Sequence, residues 1–254
     1  MAGIEGVGGM GGLLRVWLGI LLLGVCIPLS AAFAAQDEEP TPAAPETTVH
    51  VVTYIEVKTN AVPHAIGMLL QYRNAGRDEA GNAVFDLHQE VGRPYRFAVY
   101  EQWQSQAALT AHEQGAAATR LLSGLAEIQS ALPNRRILAG FAVGPVRPQG
   151  GGRAQVYGIS RFEIPLAQIA AFRATMASFL EASRNEPGGM RFDILEEEDS
   201  QSGLQLVGLT LVESWNNPGN FEDHRSSNQF VQFREALAPL VVGLYQDRLY
   251  GGFD

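Results

Sequence analysis

Glu101, Trp103 and His112 recur as Glu213, Trp215 and His224, each member displaced by 112 residues. Each triple joins a carboxylate, an indole and an imidazole. An imidazole titrates near neutral pH and can take up and return a proton. An indole offers a flat apolar face with a single donor. These residues also have ordinary uses in a fold. A Trp at a strand end anchors a core, a Glu ahead of a helix interacts with its dipole, and a helix-borne His packs. Duplication preserves a fold signature as well as an active site, so recurrence marks the set without deciding its use.

Strand parity sets where the triples point. Phe97, Val99, Glu101 and Trp103 share one face of a strand, as do Val207, Leu209, Leu211, Glu213 and Trp215. The apolar members must face helices, so each copy is expected to hold its carboxylate and indole at the mouth of a helix–sheet cavity. The His follows about two turns into the next segment, where it can close over that mouth.

The repeat extends beyond the triples. Val84-Phe85-Asp86-Leu87 matches Arg191-Phe192-Asp193-Ile194 at an offset of 107, so copy two gains residues between these points, expected in a Glu196–Gly203 turn. Each copy reads as strand, helix, strand, strand, helix, strand. In copy one, Val51–Val57 alternates, and Val62, Ala65, Ile66, Leu69 and Leu70 form a helical face with Pro63 in its first turn. Strands Ala83–Val91 and Phe97–Trp103 follow, then a helix striped by Leu121, Leu122, Leu125, Ile128 and Leu132, then strand Ile137–Val143. Copy two has Val156–Phe162, a helix started by Pro165 with Leu166, Ile169, Phe172, Met176, Phe179 and Leu180, and strands Met190–Glu196, Leu204–Trp215 and Leu244–Tyr250. A βαββαβ unit packs two helices on one face of an antiparallel sheet, a ferredoxin-like α+β arrangement. The other face needs cover. The sister copy supplies it, giving two units packed sheet to sheet as an intramolecular pseudo-dimer.

Composition bounds the partners. The 254 residues are 46% hydrophobic and 18% charged, with net charge −9 and no basic run longer than Arg135-Arg136, which argues against nucleic acid. Residues 1–35 read as a signal peptide: Arg15, an apolar run from Val16, then Ala32-Phe33-Ala34 with cleavage expected after Ala34 or Ala35. The apolar run is shorter than the roughly 20 residues that span a bilayer. The protein is therefore expected to be exported, periplasmic or secreted, with only transient membrane contact. Cys26 is the only cysteine, so the mature chain would hold no disulfide, Cys-ligated metal or thiol nucleophile. Residues 36–48 read as an acidic Pro-rich linker, 49–146 as copy one, 147–154 as a Gly/Pro linker and 155–254 as copy two.

Other polar features have plainer readings. His88 shares a strand face with Asp86 and Glu90 and should face solvent or the sister sheet, while His50 lies near the linker and His64 at a helix start. No histidines or carboxylates have metal-ligand spacing. Gly150-Gly151-Gly152 is no phosphate loop, and Glu196-Glu197-Glu198-Asp199 reads as a solvated hairpin tip.

The run Glu101 to His112 resembles the signature of the antibiotic biosynthesis monooxygenase family, which includes small quinol monooxygenases. Glu213 to His224, continuing to Ser227, Phe230 and Phe233, resembles the same signature with its downstream aromatics. The resemblance implies a dimeric α+β barrel that oxygenates a small quinol-like or polycyclic aromatic substrate with O₂, without flavin or metal. It makes His112 and His224 the candidate bases or hydroxyl-orienting groups, has Trp103 and Trp215 stack on the substrate, and has Glu101 and Glu213 orient their neighbours or shape the pocket electrostatically. Copy one lacks the Ser and the large aromatic after its His, so copy two is the expected better site. The alternative is a non-catalytic small-molecule module, or a haem-binding or haem-degrading one with His112 or His224 on the iron. Further homo-oligomerisation is open.

Overall fold

The computed structural model describes residues 47–145, 155–197 and 205–253. The segment expected to be a signal peptide, most of the expected acidic linker, the expected Gly/Pro linker and the end of the acidic run from Glu198 lie outside them.

Copy one begins with β1 (Val49–Glu56), whose alternating side chains serve two cores. A short 3-10 turn leads into α1 (Val62–Arg77), where Pro63 sits in the first turn and its missing N–H costs nothing. Gly76 in the last turn lets α1 rest on the next strand: a Cβ there would stand 2.3 Å from the Phe85 ring. Gly81, at φ +82°, makes the turn that follows. β2 (Asn82–Glu90) and β3 (Arg96–Trp103) then pair antiparallel, Phe85 opposite Glu101.

The second helix of each copy is not the single stripe expected. In copy one α2 (Gln106–Glu113) stops before Gly115, whose extended ψ of 160° resets the direction, and α3 (Ala116–Ile128) starts afresh. The reset turns Ala117, Ala118, Leu121 and Leu125 inward. Leu122 is left 61% exposed, and Leu132, beyond the helix, 83% exposed. β4 (Asn134–Ala142) closes the copy.

Copy two repeats the order with β5 (Val156–Pro165), α4 (Ile169–Arg184), β6 (Gly189–Glu197), β7 (Leu206–Trp215), α5 (Pro218–Ser226), α6 (Asn228–Leu237) and β8 (Val242–Gly252). Pro165 ends β5 instead of starting a helix, and a 3-10 turn, Leu166–Gln168, intervenes. The offset changes from 107 to 112 between β6 and β7, so the extra residues fall in their connection.

The eight strands form one closed barrel in the order β1-β3-β2-β8-β5-β7-β6-β4. Each copy contributes four neighbouring strands. The seams are β2 with β8 (Gln89 opposite Gly251) and β4 with β6 (Ala139 opposite Glu196). Closure leaves no free sheet edge. Each copy has its own core between its helices and its outer sheet face. A third core fills the barrel lumen, with Val52, Tyr100, Leu138, Tyr157, Leu195 and Tyr250 among its members. His88 is buried there with its ring 3.8 Å from that of Tyr157. Of its two expected faces, the sister sheet is the one it takes.

Candidate active site

Each triple folds into one buried cluster. The Trp103 Nε1–H donates to Glu101 Oε2 at 2.9 Å, and the His112 ring lies over the indole with centroids 4.6 Å apart. Copy two repeats this: Trp215 donates to Glu213 at 2.9 Å, and His224 covers the indole at 4.4 Å. Trp103 and Trp215 are both 0% exposed. The expected position at a cavity mouth is therefore corrected. The chain after each strand turns the His inward, and the indole face available for stacking is taken by an imidazole.

Two glutamates that the sequence reading passed over hold the imidazoles from the other side. His112 Nδ1 lies 2.7 Å from Glu79 Oε2, and His224 Nδ1 lies 3.0 Å from Glu186 Oε2. They sit in the turns after α1 and α4, and their offset of 107 is that of Phe85 and Phe192. That shared offset was the available signal. An ionised carboxylate only accepts, so each Nδ1 donates and each Nε2 is left to accept.

Here the copies part. Tyr72 on α1 brings its hydroxyl 2.7 Å from His112 Nε2 and donates to it. The equivalent residue in copy two is Phe179, which has no hydroxyl, and His224 Nε2 is buried with no hydrogen-bond partner among the described residues. Burial lowers the His224 pKa, against the pull of Glu186. Burial raises Glu101 as well, and pushes Glu213 up to about 7 although Trp215 donates to it.

The volume beside each cluster differs in the same sense. Copy one has a cavity of about 470 Å³ against Tyr72, walled by Ile55, Val99, Ala118, Leu121 and Leu125, with Thr53, Glu113 and Arg135 as its other polar residues. In copy two Phe230 replaces Ala118 and Phe233 replaces Leu121. Phe233 stacks on Phe179 at 3.7 Å, and Phe230 lies 5.0 Å from the His224 ring, so aromatic side chains fill the matching space. Copy two was expected to hold the better site; its large aromatics pack into its own core, and the cavity of about 470 Å³ that touches the hydrogen-bond partner of an imidazole lies in copy one.

The rim carries a second comparison. Arg135 pairs with Glu113 at the copy-one cavity. At the same two positions copy two has Asp247 and Arg225, paired at 2.5 Å with the charges exchanged. The bridge from the helical layer to the last strand is kept while its polarity reverses. Only the copy-one arrangement turns a guanidinium from the strand onto the cavity wall.

The comparisons with known proteins agree with this architecture. A candidate monooxygenase from Fusobacterium nucleatum subsp. nucleatum superposes with a TM-score of 0.73 at 12% identity, covering 83% of this chain and 94% of that one. A candidate monooxygenase from Lactobacillus acidophilus gives 0.67 at 13% identity, covering 81% and 93%. An anthrone oxidase-like protein gives 0.57 at 16% identity, covering 82% and 92%. At these identities the likeness is one of fold. No curated protein matches the chain. The antibiotic biosynthesis monooxygenase family model matches twice, at residues 48–122 and 156–236, once on each copy of the unit. Two matches on the two halves of one barrel place the chain in the antibiotic biosynthesis monooxygenase family, as a tandem member.

Proposed function

We propose that the protein is a cofactor-independent monooxygenase whose working site is the copy-one cavity, acting on a quinol-like or polycyclic aromatic substrate with O₂. One observation carries the reading: an apolar cavity of about 470 Å³ is walled by a tyrosine that hydrogen-bonds a buried imidazole, itself held by a carboxylate. A flat ring suits such a cavity. A ring hydroxyl seated against Tyr72 passes its proton to His112 Nε2 through the tyrosine hydroxyl, and Glu79 stabilises the imidazolium that forms. The proton transfer leaves a phenolate on the ring, in a cavity whose charged residues are the paired Arg135 and Glu113. That electron-rich anion reduces O₂ directly. One oxygen atom enters the ring, the other leaves as water, and the substrate supplies all four electrons. Glu101 and Trp103 are positioning residues that fix the plane of His112. Trp215, Glu213 and His224 hold the fold of copy two. The reading also places the protein outside the cytoplasm, on the export signal in residues 1–35.

Haem does not fit these residues. His112 Nε2 is engaged by Tyr72, and His224 lies beneath Phe179 and Phe230, 1% exposed. Neither imidazole has an open face for a porphyrin.

The test is oxygen uptake against a panel of hydroquinones and polycyclic phenols, with autoxidation blanks and product analysis. Tyr72→Phe and His112→Gln are each expected to lower kcat by about a hundredfold or more, and Ala118→Phe to abolish ring binding. His224→Gln should leave the rate within about threefold, since effects this far from the reacting atoms are indirect. Enzyme-independent uptake across the panel overturns the oxygenase reading in favour of a binding module.

A further inference from the structure

A second cavity, of about 230 Å³, opens at one end of the barrel lumen beside β1, β3, β4 and β8. It is polar where its neighbour is apolar. Its wall carries the guanidiniums of Arg96, Arg136 and Arg248 against one carboxylate, Glu56. Two of these cations are already matched. Arg96 donates to Glu56 at 2.8 Å and stands 4.0 Å from Glu90. Arg136 donates to Glu197 at 2.8 Å, a carboxylate shared with Arg161 at 2.6 Å, and Arg161 also reaches Glu163 at 2.9 Å.

Arg248 differs. Its guanidinium lies 4.8 Å from the centre of the Tyr54 ring and stands beside the Tyr250 hydroxyl, with Glu90 only at longer range. No carboxylate pairs with it among the described residues. The Arg136 Nε–H is buried and has no acceptor among the described residues. The side-chain amides of Asn134 and Gln246 lie in the same wall. A guanidinium has five donors and no acceptor, so the cavity holds more donors than its own carboxylates satisfy. A concavity of that kind matches a ligand with acceptor oxygens alone, and a planar fork of donors matches a carboxylate best. The chain as a whole carries −9 and repels anions at long range, so any anion held here is held by these local contacts.

The two cavities are neighbours. Ile55 and Leu132 line both, and Leu132 is the most exposed large apolar residue described. A ring in the apolar cavity therefore has the arginine wall beside it, across Ile55 and Leu132.

We propose that this second cavity is a carboxylate-binding site, with Arg248 as its principal donor, and that it seats the carboxylate arm of an aromatic ligand held in the apolar cavity. The binding site does not depend on the oxygenase reading, because it requires no turnover. The experiment is isothermal titration of the full chain, at low ionic strength, with 6-hydroxy-2-naphthoate, its neutral carboxamide and acetate. The acid is expected to bind at least tenfold more tightly than the amide, and Arg248→Gln to erase that margin. Arg248→Lys should restore part of it, which a merely misfolded variant would not. Ala118→Phe, which fills the apolar cavity, separates the sources. Loss of naphthoate binding with weak or absent acetate binding supports the arm, whereas acetate binding that survives the filling identifies a site for free anions. Equal binding of acid and amide, no binding of either, or a margin that survives Arg248→Gln in a variant with unchanged circular dichroism overturns the proposal.

Discussion

Glu101 and Glu213 show how one residue type at one place in a repeat acquires different properties. Each accepts from the indole two residues on, and burial raises both pKa values. Glu213 has a further Oε1 with no hydrogen bond among the described residues, 3.8 Å from Arg225. An acid whose pKa is about 7 folded and 4.5 unfolded binds its proton more tightly in the native state. Its stabilising contribution is present below pH 4.5 and lost as the pH rises through 7. Wild type should therefore lose roughly 2–3 kcal/mol relative to Glu213→Gln between pH 5 and pH 8, read by urea unfolding at the two values. Parallel pH profiles would show that Glu213 ionises without penalty. Glu79 and Tyr72, by contrast, were hidden in the sequence for a physical reason. Neither lies in the motif, and only the folded chain brings residues 33 and 40 positions away onto the two nitrogens of one ring.

At the scale of elements, the split of each second helix decides what lies beside the imidazole. In copy two Ser227 caps α6 by accepting from the Phe230 N–H at 3.1 Å, which orients the helix that carries Phe230 and Phe233 into the core. Copy one has Gly115 at this position and no side-chain cap. Ser227→Ala is expected to cost about 1 kcal/mol, measurable as a lower urea midpoint with unchanged m-value. No change in midpoint would mean that packing of the two phenylalanines alone sets the helix start. Leu122 and Leu132 show the limit of pattern reading here. A period drawn across the whole segment counted them as core, but the break at Gly115 shifts the buried face, and both end beside the cavity entrance.

At the scale of the whole molecule, the closed barrel buries two histidines between the sheets. His50 hydrogen-bonds Tyr100 at 2.8 Å, and His88 packs on Tyr157 with Nδ1 unpartnered. Arg191, Asp86 and Arg77 also face His88 electrostatically. Burial lowers both imidazoles to about 4 from 6.5. A base that stays neutral in the fold but charges in the unfolded chain supports the native state above its unfolded pKa. That support is lost as the pH falls from 6.5 to 4. Acid should therefore open the barrel at its centre. His88→Gln is expected to lose roughly 2–3 kcal/mol less than wild type over that window, followed by chemical denaturation at stepped pH; identical losses would mean that other groups carry the acid sensitivity.

The repeat, the ferredoxin-like unit and the pairing of sister sheets were legible in the linear order of residues. Strand parity and helical period are local properties, and a duplicated chain displays each of them twice. The carboxylate–indole–imidazole sets were legible too, as a spacing. Their placement beneath the surface was not, because burial depends on what packs over a residue from elsewhere in the chain. Which copy holds the open cavity was decided by single positions, Ala118 against Phe230 and Tyr72 against Phe179, brought beside the imidazole from different helices. Only the tertiary structure could weigh them, since a cavity is the volume that several distant side chains together leave unfilled.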